Sequence, residues 1–258
     1  MFTERPLSDA LADVHATHAP DALVLDCATN FETLPPAHAE DLGLLGDALD
    51  PLTYPKEWLP PDAPAVLDRY AGPDLTIGMP GDGSVAWTRQ TDPPVVLCKP
   101  RLDDSPAGFA DFLLAEALVE VGLDEPEHCL GFFGAAYPEF GAAAGDFLGP
   151  VETYQVAVAC YDASLGLQTR DTFAGWEGDL FDAWLDAGER LDDRLADLPA
   201  AVARGSTSFA DAAELACSAV KHAGDVPAPF DALDAAVYLD HGPAYAVEWL
   251  DRTVDSLG

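Results

Sequence analysis

The chain carries 46 acidic residues against 12 basic ones, a formal net charge of −34. That imbalance restricts its folding more than any other feature. At ordinary ionic strength such a charge strains every compact state by self-repulsion. At molar salt the Debye length falls to about 3 Å and the repulsion is screened. Of the acids, 32 are Asp, and Lys occurs only at Lys56, Lys99 and Lys221. Aspartate is short and strongly hydrated, so a surface covered with it stays soluble in brine. The composition points to a cytoplasmic protein working in concentrated salt.

The same charge narrows the partners. A broad basic face for nucleic acid is not available, and an anionic membrane surface would repel the chain. No apolar run reaches the roughly 18 residues that a membrane span requires. The start, MFTERPLSDALADVH, is charged from the fourth residue and lacks the core of a signal peptide. Five cysteines, Cys27, Cys98, Cys129, Cys160 and Cys217, are widely spaced with no C-x-x-C. They read as small buried hydrophobes without disulfide partners.

Hydrophobic residues make up 49% of the chain, enough for a true core. Residues 6 to 71 read as short helices broken by prolines. Ser8 caps the first, which runs to about His18. Leu23, Cys27, Phe31 and Leu34 recur at helical spacing, although LVLDC alone also suits a strand. AHAEDLGLLGDALD gives a third helix, and a fourth ends at Gly72. From Asp74 to Leu102 alternation and turn clusters predict a three-stranded antiparallel meander, with turns at PGDGS and TDPP. A helix follows, with Ser105 as its cap, Pro106 at its first position and Gly122 at its end. Residues 126 to 258 read as mainly helical, VETYQVAVACYDA included. The expected fold is α+β: N-terminal helices, the meander, then a helical C-terminal half. One domain spans 1–258, with possible subdivisions at 1–72, 73–125 and 126–258.

No catalytic signature stands in this sequence: there is no G-x-S-x-G, H-E-x-x-H, Walker loop or G-x-G-x-x-G. GMPGDGS could offer backbone N–H groups to a phosphate, but it sits between strands and reads as a turn. His15 and His18 share a helix face without further metal donors, so no metal and no cofactor are expected. His128 and Cys129 are neighbours on a helix and point about 100° apart, so adjacency alone makes no catalytic pair. Gly141 and Gly145 form a G-x-x-x-G that suits close packing in a core.

The cations are the exception. Arg89, Lys99 and Arg101 fall within a short stretch around VVLCKPRLDDS. Strand alternation puts Val95, Leu97, Lys99 and Arg101 on one face. With Arg89 opposite Val95 and Trp87 opposite Leu97, Arg89 lies about 13 Å from Lys99, and Lys99 and Arg101 about 7 Å apart. Two cations that close can grip one anion. Against this, Asp103, Asp104 and Asp111 follow directly and can neutralise them.

With the acidic composition, YPKEWLPPDAP, GMPGDGSVAWTRQTDPPVV and KPR resemble uncharacterised families of halophilic archaea, domains of unknown function. The resemblance implies no activity and carries over no functional residue. Two readings stand: a non-catalytic accessory module that binds a protein partner, or a small-molecule-binding protein or enzyme holding an anion through Lys99, Arg101 and Arg89.

Overall fold

The computed structural model describes residues 2–43, 45, 46, 48–78, 83–106 and 108–257. In chain order the strands and helices begin β1 (Phe2–Glu4), α1 (Asp9–His18), β2 (Leu23–Cys27), α2 (Pro36–Gly43), β3 (Ala48–Leu49) and α3 (Ala65–Tyr70). Then come β4 (Val85–Thr88), β5 (Thr91–Asp92), β6 (Val95–Cys98), α4 (Phe109–Val121), α5 (Cys129–Phe133) and α6 (Tyr137–Ala144). Last are α7 (Pro150–Ala174), α8 (Asp179–Ala203), α9 (Phe209–Val220), α10 (Ala236–His241) and α11 (Pro243–Leu257). The fold is α+β with a mainly helical C-terminal half. Contacts group the chain into two compact units: Met1–Thr53, Arg69–Glu127 and Glu177–Ala183 form the first, Tyr54–Asp68, His128–Trp176 and Trp184–Gly258 the second.

The first unit is built on a four-stranded mixed sheet in the order β1-β2-β6-β4. β2 and β6 are parallel; the outer pairs are antiparallel. LVLDC is thus a strand and not part of a helix. It is inner to the sheet, with Val24 and Leu25 buried on opposite faces. A strand covered on both sides loses its alternation, and the helical spacing of its apolar residues is coincidental.

The expected meander is corrected in the same way. Leu75–Ile77 form no strand, and β5 leaves the sheet to pair with β3. The turn read at PGDGS falls mostly outside the described residues. Because β5 pairs elsewhere, the β4–β6 connection is not a tight hairpin, and register is set by packing. Trp87 stands opposite Val96, and Thr88 opposite Val95, one residue from the expected pairing.

Alternation now explains both faces. Trp87, Val96 and Val24 turn toward α4, where the indole Nε1–H donates to Glu120 at 2.9 Å. Leu25, Cys27, Ala86 and Leu97 turn to the other side and pack with Phe31, Leu34, Leu42 and Ile77. α1 lies against α4. Ser8 caps α1 as the sequence indicates, its hydroxyl accepting from the Leu11 N–H. α4 starts later than expected: its N-cap is Gly108, at φ 79°, and Ser105 instead closes a 3-10 turn over Pro100–Asp104. Gly122 does end α4. A Cβ there would fall 2.2 Å from the His18 carbonyl oxygen, so glycine is what lets the two chain segments approach.

The second unit is organised around α7, which is buried around most of its circumference. α9 packs on it through Ala212, Ala213, Ala216 and Cys217. Gln155 reaches Asp211 and Glu214, while Gly166 meets Lys221 further along, so the two helices run in the same direction. A Cβ on Gly166 would sit 2.9 Å from the Lys221 nitrogen. α10 closes on α7, with Tyr238 donating to the Cys160 carbonyl at 2.7 Å. α11 packs on α6. Gly141 does not serve helix–helix packing as expected; its open side faces Pro60.

Candidate functional site

In sheets with parallel strands, ligands gather beyond the carboxyl ends of those strands. Here that end of the β2/β6 pair carries Asn30 and Phe31 on one side and Lys99 and Arg101 on the other. β6 stops at Cys98, and the 3-10 turn beginning at Pro100 breaks the alternation that the sequence extends through Arg101. Lys99 and Arg101 are therefore not placed by strand parity.

Lys99 is 1% exposed. Its Nζ lies 4.8 Å from the centre of the Phe31 ring, a cation–π contact in a desolvated place. Its backbone N–H donates to the Ser84 carbonyl at 2.8 Å. Arg101 takes a different course. Its backbone N–H donates to Asn30 Oδ1 at 3.0 Å. Its guanidinium donates to Glu32 at 3.2 Å and to the Gly83 carbonyl at 2.6 Å. Both side chains are partnered within the chain.

Arg89 is not part of this group. It follows β4 at the opposite end of β6, where its guanidinium donates to the carbonyls of Leu123 and Glu125 just beyond α4. Its Cζ lies 5.5 Å from the centre of the Trp87 ring. Its backbone N–H donates to Glu127, which also accepts from Thr88 Oγ1 at 2.6 Å and Gln90 Nε2 at 2.7 Å. Burial pushes the Glu127 carboxyl above its usual range, and these three donors pull it back. Gln90 in turn donates to the Thr76 carbonyl and accepts from the Leu52 N–H, so it joins four segments. Sequence reading missed this hub; nothing in TRQ or DEPEH marks it.

The thiols of this unit are held protonated. Burial, aided by Asp26, pushes Cys27 up to about 11, with Lys99 opposing. Burial pushes Cys98 up to about 12. His15 turns its Nε2 to the Ala22 carbonyl at 2.8 Å. Among the described residues, no three His, Cys, Asp or Glu side chains stand together to hold a metal.

In the second unit His128 and Cys129 do meet: Nε2 lies 3.7 Å from Sγ and 3.5 Å from the Tyr154 hydroxyl. His128 caps α5, its Nδ1 accepting from the Leu130 N–H at 3.0 Å. The proton of the neutral ring is therefore on Nε2, facing the thiol as a donor. Burial holds His128 down at about 3 and Cys129 well above its usual range. A thiolate–imidazolium nucleophile needs the reverse shifts.

Residues 1–257 match the family described as "Family of unknown function (DUF7089)", and the chain belongs to that family. No curated protein and no solved structure matches it.

Proposed function

We propose that this DUF7089 protein is a non-catalytic accessory module of a salt-rich cytoplasm, acting by binding another protein. The observation behind the proposal is how the chain commits its rare cations. Arg5 bridges Asp26 and Asp103. Arg89 closes on two carbonyls, Arg101 on Glu32 and Gly83, and Lys99 is enclosed over Phe31. Groups used this way tie acidic segments together. The acidic surface and screened repulsion fit concentrated salt.

The competing reading is an anion site at Lys99 and Arg101. Their place beyond the parallel strands, beside Gly83 of the glycine-rich segment, favours it. Thermal unfolding in molar KCl separates the two. Phosphate, a nucleoside triphosphate and a dicarboxylate are each added to the wild type, Lys99→Met and Arg101→Gln. The module reading expects both variants to melt lower and no anion to shift any of the three proteins. An anion that stabilises the wild type but neither variant would replace it with the binding-site reading.

A further inference from the structure

We infer that the paired starts of α7 and α9 form a docking face for a lysine- or arginine-bearing amphipathic segment of a partner protein. The inference rests on the module reading above and names its partner's chemistry.

Phe147 is 39% exposed and Val151 65% exposed, on a chain with 46 acidic residues against 12 basic ones. Four residues apart in the chain, both stand beside the start of α9. Gln155, one turn after Val151 on the same helix face, bonds Asp211 and Glu214 of α9. The helices run in the same direction, so Val151 lies level with the start of α9. Phe209 stands there, and the Phe147 ring packs edge-on against it at 5.5 Å.

The exposed ring is held in place. Phe209 is backed by Phe230 at 5.3 Å and Trp249 at 6.3 Å. A fixed aromatic edge loses little entropy when a partner covers it, which is the property of interface anchors.

Charge selects what covers it. Asp146, Glu152, Asp211 and Glu214 are all exposed around this pair. A second copy of the chain would press the same carboxylates against each other. A segment with apolar side chains flanked by cations complements both parts of the face.

The test uses a synthetic helical peptide of leucine and lysine patterned at i, i+3, i+4 and i+7, with a leucine–glutamate peptide as control. Calorimetric titration is run on the wild type, Phe147→Ser and Val151→Ser in moderate and in molar KCl. The lysine peptide should bind the wild type and persist in molar KCl through its apolar contacts. Val151→Ser should weaken it by about tenfold, the loss of a moderate anchor. Val151 is mostly exposed, so this variant keeps the test sound if Phe147→Ser unfolds. No binding, equal binding of the glutamate peptide, or unchanged binding to Val151→Ser would overturn the docking face. None of these results touches the anion test at Lys99 and Arg101, on which the module reading itself depends.

Discussion

The His222 ring stacks on the Trp184 indole, centroids 6.1 Å apart, and its Nδ1 lies 3.0 Å from the Trp184 carbonyl. A carbonyl only accepts, so Nδ1–H is the donor. The Trp184 indole answers by donating to the Lys221 carbonyl at 2.9 Å. This exchange fastens α8 to the end of α9.

The clasp predicts a loss of stability in acid. Burial, and next the charge of Lys221, lower His222 to about 4. The unfolded chain, near 6.5, then takes up the proton first. Stability is complete above about pH 6.5 and falls as the pH drops toward 4. The loss through this group is at most about 3 kcal/mol. His128 acts in the same direction over a window that opens at the same pH and extends to about 3, so the measurement is a difference. Denaturant midpoints of wild type and His222→Gln should converge as the pH is lowered. Parallel curves would show that His222 does not titrate in this way.

Glu127 acts in the opposite direction. Its folded pKa lies above the ordinary 4.5, so its favourable contribution is full below that value and is lost as pH rises through the folded one. At neutral pH three donors still need its oxygens. Glu127→Gln turns an amide toward one of them and should cost about 1–3 kcal/mol. Arg89→Lys should cost about 1–2 kcal/mol, because an ammonium cannot span the two carbonyls that the guanidinium fork reaches. Chemical denaturation measures both, and a neutral Arg89→Lys would remove the tie from this account.

Two glycines should behave very differently on substitution by alanine. At Gly122 the added methyl meets the His18 carbonyl oxygen at 2.2 Å, and α1 must move. The expected loss is about 3 kcal/mol or more. Gly178 has φ 62° but no neighbour within 4 Å, so Gly178→Ala should cost only the backbone strain, about 1–2 kcal/mol. Equal losses would contradict the close approach.

Ala223 sits at φ 53°, a region that favours glycine. Ala223→Gly should raise stability by about 0.5–1 kcal/mol, strain relief outweighing the entropy gained by the unfolded chain. A lower thermal midpoint would refute this.

Elements controlled by local chemistry could be read from the sequence. Ser8 caps α1 and Gly122 ends α4, because each acts within one turn of its own chain. LVLDC could not be settled between strand and helix, because its partner β6 and the α4 toward which Val24 turns both lie far along the chain. The one-residue slip between Trp87 and Val96 has a similar origin: β5 is drawn away by β3. Lys99 and Arg101 stood out in the sequence as two cations one residue apart. Their surroundings were not legible, since Asn30, Phe31 and Glu32 arrive from the segment that follows β2. Glu127 and Gln90 looked like any polar loop residues.

α7 and α9 run side by side in the same direction, and that sets a rule for shortening the chain. The connection leaves α7 at Ala174 and must return to Phe209, beside the opposite end of α7. A tight turn could never make that journey. α8 is therefore a strut of required length, at about 1.5 Å per residue. Deleting one of its turns should drag α9 along α7 and push the Gly166 contact out of step, whatever residues are removed.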